Sequence, residues 1–196
     1  MPLPTVVASE SDQLLAATVA LLRGEVDVAR HLIDRIDRDA LWLYYDAAAF
    51  VYEARHDAAA HADRTPGKKV AIPTAVKRGV AARDGWRCRY CGLRLVSRDL
   101  IVGINARLGD AFVIDGSVER SMHPAAYLLR YTQDHMVPRS AGGTNEPNNV
   151  VAACGTCQFQ NGDCTLDELE LANPFDRPPT VDGWDGLAGR FGRIEY

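Results

Sequence analysis

Hydrophobic positions recur at helical spacing from Ser9 to about Arg64, with Leu14, Leu15, Val19 and Leu22 on one face and Val26, Ala29, Leu32, Ile33 and Ile36 on the next. Ser9, Ser11 or Asp12 can cap the first helix, Gly24 separates it from the second, and the Ala-rich stretch from Asp39 to His61 reads as a third. Its aromatics, Trp42, Tyr44, Tyr45, Phe50 and Tyr52, recur near helical spacing, which reads as packing rather than as a base-stacking surface. The pattern breaks at RTPGKKVAIP, where Pro66, Gly67 and Pro73 mark a linker or extended entry into the next unit. The chain therefore divides into a helical region at 1–64, a domain at 65–172 interrupted by an insertion at about 99–133, and a C-terminal extension at 173–196. The insertion ends in the helical-looking HPAAYLLRYTQ. His31, His56 and His61 have no second ligand type at metal-binding spacing and read as solvent-facing or structural; His123, before Pro124, reads as a surface or capping residue.

Charge changes this picture more than composition does. At 196 residues and 47% hydrophobic content the chain can bury one core of moderate size or two small ones. No run of 18 apolar residues is present, and MPLPTVVASESDQ lacks the basic and apolar regions of a secretory signal, so no membrane partner and a cytoplasmic location are expected. The net charge of -4 conceals an asymmetry: residues 65–140 carry 13 basic and 6 acidic groups, +7 between two acidic ends. From Lys68 to Arg98, nine basic residues, Lys68, Lys69, Lys77, Arg78, Arg83, Arg87, Arg89, Arg94 and Arg98, stand against a single acid, Asp84, the footprint a phosphate backbone would select.

Five cysteines fall as two C-x-x-C pairs, Cys88/Cys91 and Cys154/Cys157, plus Cys164, which reads as plain packing. Each C-x-x-C turn presents two thiolates on one side of the backbone, so the two pairs together supply the four tetrahedral ligands of a structural zinc ion. Sixty-two residues separate Cys91 from Cys154, so zinc would clasp a long loop. Within that loop, Asp134 and His135 are adjacent. On a strand their side chains point to opposite faces, so the carboxylate can hold a cation while the imidazole addresses something else. PRSAGGTNEPNN then supplies the turn formers that bring the chain back.

The words ARDGWRCRYCG, DHMVPRSAGGTNEPNNVV and CGTCQ, followed by TLDEL, resemble the HNH endonuclease family over roughly Ile72 to Glu170, and the tail ELANPFDRPPTVDGWDGL looks like that of its actinobacterial members. The resemblance implies an α+β fold, with a helical region ahead of a zinc-stabilised, treble-clef-like ββα-metal domain. It also implies roles: Asp134 as ligand of a divalent cation (magnesium, manganese or nickel), His135 as general base, and Asn149 as the residue that braces the loop and orients the histidine. Gln158 stands where the family has a His or Asn metal ligand, and Asn161 where many members have Lys or Arg. The implied activity is hydrolysis of phosphodiester bonds in DNA, through backbone contacts from Lys68, Lys69, Lys77, Arg78, Arg83 and Arg139, with a homodimer suited to cutting both strands. Two other readings stand beside it: a nucleic-acid-binding module whose catalysis is weakened at Gln158, and a metalloenzyme that uses the same site on another substrate.

Overall fold

The computed structural model describes residues 5–55, 70–115 and 121–192; Lys68, Lys69, His56 and His61 lie outside these. The three expected N-terminal helices are α1 (Thr5–Leu22), α2 (Val26–Asp34) and α3 (Arg38–Arg55). Gly24 ends the first of them at φ +79°, a conformation costly to residues with a Cβ. That turn lets Glu25 N–H donate to Ala20 O (2.9 Å) and Gly24 N–H to Leu21 O (3.1 Å), satisfying two carbonyls at the helix end. Asp37 caps α3, its Oδ1 accepting from Ala40 N at 2.8 Å. Leu14, Ala17 and Leu21 of α1, Ile33 of α2 and Leu41 of α3 bury the inner faces. The same apolar cluster runs on through Val80, Leu95, Ile104, Leu128, Val150 and Leu187, so the helices and the remainder of the chain share one core.

Four of the α3 aromatics pack inward or along the helix. Tyr44 is buried, Tyr45 and Tyr52 lie 5.3 and 4.9 Å from the Phe159 ring, and Trp42 meets Tyr45 edge-on at 5.8 Å. Phe50 departs from the packing reading and is 73% exposed.

After Pro73 comes α4 (Thr74–Arg83), then the Cys88–Cys91 turn, flanked by a bridge between Arg87 and Arg94. The insertion is made of α5 (Arg98–Leu108), a 3-10 turn at Gly109–Phe112 and α6 (Pro124–Leu128). Ser97 Oγ caps α5 by accepting from Leu100 N. His123 caps α6, its Nδ1 accepting from Ala125 N at 3.3 Å, but it is no surface residue: it is buried with its ring 4.7 Å from that of Phe112. Burial, and then the charge of Arg38, push its pKa down to about 4, so it stays neutral.

The heart of the second half is a ββα unit: β1 (Thr132–His135), β2 (Val150–Ala153) and α7 (Gly155–Asn161). The strands pair antiparallel with Asp134 opposite Val151 and His135 opposite Val150. All four side chains of β2 are buried, as an apolar VVAA run covered on both faces requires. The C-terminal extension returns to the segments ahead of this unit: Trp184 Nε1 donates to Leu95 O at 2.7 Å, and the Arg107 guanidinium on α5 lies 4.0 Å above the Phe191 ring. Among the described residues no helix is long and apolar enough to cross a membrane.

Candidate active site and metal centre

The turn carrying Cys88 and Cys91 is closed by Cys88 N–H donating to Leu93 O (2.9 Å) and Gly92 N–H to Cys88 O (2.8 Å), with Gly92 at φ +80°. Cys154 is the N-cap of α7, its sulfur accepting from Cys157 N at 3.4 Å. Together these two turns bring all four sulfurs within 4.8 Å of one another, with Cys91 Sγ and Cys154 Sγ 3.9 Å apart. None of the four is in a disulfide. A tetrahedral zinc ion with Zn–S near 2.3 Å holds its sulfurs roughly 3.8 Å apart, so the donor set and its spacing fit structural zinc. Cys164 is buried elsewhere and is not one of the cluster.

Burial alternates along β1, which sends Asp134 inward and His135 outward. Inside, Asp134 Oδ2 accepts from the Tyr90 hydroxyl at 2.7 Å and from Asn161 Nδ2 at 2.9 Å. Burial raises the carboxyl pKa from 3.8 to about 6, although both hydrogen bonds favour the ionised form. Tyr90 is itself held protonated, its pKa pushed far up by burial and by the Asp134 charge. Tyr90 stands between Cys88 and Cys91, so the turn that presents the thiolates also delivers the hydroxyl to Asp134. Sequence reasoning missed this contact, which spans 44 positions and leaves no local signal. Asn161, read from the sequence only as a missing phosphate contact, is buried and holds the Asp134 carboxylate.

On the outer side, His135 Nε2 lies 2.9 Å from Asn145 Oδ1. The loop from Met136 to Asn148 is fastened by Asn149. Its Nδ2 donates to Val137 O (3.0 Å) and Thr144 O (2.9 Å), and its Oδ1 accepts from Val137 N (2.9 Å). The glycine pair is needed for the same turn: Gly142 adopts φ +87°, and a Cβ on Gly143 would run into Val137 O. Gln158 is exposed, with Nε2 3.5 Å from Gln133 O; it lies over β1 beside Asp134 and makes no hydrogen bond to that carboxylate.

The basic stretch is less available than its composition suggests. Arg83 is turned inward, donating to both carboxylate oxygens of Asp84 (2.7 Å each), to Pro147 O (2.6 Å) and to Val150 O (2.8 Å). Asp84, 1% exposed, also accepts from Ala152 N at 2.8 Å, so this pair ties α4 to β2 and Arg83 is a brace rather than a phosphate contact. Arg87 pairs with Asp182 at 2.6 Å, Arg94 with Asp12 at 2.8 Å, and Arg89 donates to Pro174 O and Arg177 O. Asp12 and Asp182, from the acidic ends of the chain, thus pair with two arginines of its basic middle. Lys77 and Arg78 remain on α4, half-buried and exposed respectively, and exposed Arg139 reaches Val70 O at 3.1 Å.

The family model of the HNH endonuclease matches residues 128–163, which hold β1, the Asn149-braced loop, β2 and α7. No curated protein and no solved structure is significantly similar to the chain. Residues 128–163 are an HNH endonuclease domain, joined through Cys154 and Cys157 to a four-cysteine cluster positioned to hold a metal ion.

Proposed function

We propose that this protein is a metal-dependent endonuclease that hydrolyses phosphodiester bonds in DNA. The observation that carries the reading is the pair Asp134 and His135 on opposite faces of one strand, with Asn149 fastening the loop that follows. His135 takes the proton of the attacking water at its outward-facing ring, and the braced loop holds that ring in place. Both hydrogen bonds to Asp134 fall on Oδ2, which leaves Oδ1 for the role of cation ligand, with the Gln158 amide oxygen as the second ligand. A divalent ion held there (magnesium, manganese or nickel) supplies charge stabilisation at the scissile phosphate and the leaving oxygen. Lys77, Arg78 and Arg139, joined by Lys68 and Lys69, are the phosphate contacts; they act on the backbone and read no base sequence.

The test is single-turnover cleavage of a labelled duplex by wild type and His135→Ala. The variant is expected to bind DNA with unchanged affinity and to lose at least a hundredfold in rate; equal rates would remove His135 from the role of base. A second reading, a nucleic-acid-binding module that does not cut, is favoured by the exposed Gln158 and by the engagement of Asp134 with Tyr90 and Asn161. DNA binding that weakens steeply with salt, without cleavage in any divalent ion, would establish it.

A further inference from the structure

Asn145 carries two sets of contacts that the proposed mechanism does not use. Its Nδ2 lies 3.3 Å from Val70 O and 3.4 Å from Ala71 O, and its Oδ1 lies 2.9 Å from His135 Nε2. The two carbonyls accept only, which assigns the amide nitrogen to their side and leaves the amide oxygen facing the imidazole. An oxygen acceptor at 2.9 Å requires a donor on the ring, so Nε2 carries a proton, and in the neutral ring the lone pair is then on Nδ1. We infer that Asn145 is a positioning residue for His135: it fixes the neutral ring in the Nε2–H tautomer and aims Nδ1 at the water to be deprotonated. The inference rests on the proposed role of His135 as base.

The arrangement couples three separate pieces of chain. Val70 and Ala71 belong to the entry before α4, Asn145 to the loop between the strands, and His135 to the end of β1. Arg139 also donates to Val70 O, so the entry segment is held from two points on that loop. Asn149 fixes the loop backbone, whereas Asn145 fixes the ring. The two asparagines therefore have separable effects, the first on loop structure and the second on the imidazole.

The experiment uses zinc-loaded full-length protein with ¹⁵N-labelled histidine, and reads the His135 ring nitrogens by long-range ¹H–¹⁵N correlation together with single-turnover DNA cleavage. Wild type should show Nε2 protonated and Nδ1 bare. Asn145→Leu, similar in shape but without an acceptor, should give a mixture of tautomers and a ten- to hundredfold lower cleavage rate at unchanged DNA affinity. Asn145→Asp keeps the acceptor oxygen, but exchanges the donor to Val70 O and Ala71 O for a second acceptor and adds a negative charge beside the ring; it should keep the proton on Nε2. An unchanged tautomer in Asn145→Leu, or loss of the Nε2 proton in Asn145→Asp, would overturn the assignment. The ring spectrum is independent of turnover: a tautomer change in Asn145→Leu in a protein that never cuts DNA would uphold the positioning contact while refuting the nuclease reading.

Discussion

Asp134→Asn should stabilise the metal-free site while abolishing its chemistry. The substitution keeps the shape of the side chain and one oxygen that can accept from the Tyr90 hydroxyl and Asn161 Nδ2, and it removes the buried charge. A carboxyl raised from 3.8 to about 6 binds its proton more tightly in the folded chain than in the unfolded one. Relative to the protonated carboxyl, which costs nothing below pH 3.8, stability is lost as pH rises through about 6, and above that the ionised carboxylate costs about 3 kcal/mol. The residue is 6% exposed, so solvent screening takes little from this figure. The asparagine variant carries no such penalty. In thermal denaturation of zinc-loaded protein free of other divalent ions, it should melt roughly 6–12 °C above wild type at pH 8, with the difference vanishing near pH 4. Added magnesium or manganese should raise the melting temperature of wild type alone. A variant less stable than wild type at pH 8, or a difference that does not change with pH, would refute the reasoning by showing that Asp134 is stabilised as an anion.

His123 titrates in the opposite sense: its folded value near 4 lies below the unfolded 6.5, so stability is lost as pH falls between the two, by about 3 kcal/mol. His123→Asn, which keeps a cap acceptor for Ala125 N, should flatten the acid limb of a urea-denaturation series; an unaltered limb would show that His123 protonates in place. Asp84→Ala removes the carboxylate paired with the buried Arg89 guanidinium and leaves the Ala152 N–H without its acceptor in the interior, and should cost about 3–5 kcal/mol in chemical denaturation. A loss below 1 kcal/mol would contradict the bracing role given to Arg83 and Asp84. Extraction of zinc opens a clasp across the 62 residues between Cys91 and Cys154, whose closure entropy is worth about 4 kcal/mol, so a chelator should lower the melting temperature by roughly 8–16 °C; an unchanged melt after verified zinc loss would remove the ion from the fold.

Much of the fold is legible in the sequence because it is encoded locally. The 3.6-residue pattern marks α1, α2 and α3, Gly24 marks their first turn, and the two C-x-x-C turns mark the thiolate cluster, each within a window of a few residues. The alternation that separates Asp134 from His135 is equally local. What the sequence does not reveal depends on pairings between distant positions. Tyr90 on Asp134, Asn145 on the entry segment and Asp182 on Arg87 join residues 44 to 95 positions apart, and no spacing rule anticipates them. The basic segment shows the cost of reading charge without partners. Summed along the chain it promises a phosphate surface, yet Arg83, Arg87, Arg89 and Arg94 are each engaged by acidic groups or carbonyls brought from elsewhere. Asn161 illustrates the converse, since a position read as the loss of a basic residue gains a buried hydrogen bond to Asp134.

The central claim is that the strand bearing Asp134 and His135 cuts DNA with the help of a divalent ion. Its most direct test is incubation of zinc-loaded protein with supercoiled plasmid, first without and then with magnesium, manganese or nickel. The account predicts intact plasmid in the absence of added ion and nicked or linear product in its presence, with none from His135→Ala. Plasmid left supercoiled in all three ions, under conditions where the protein binds it, would contradict the account.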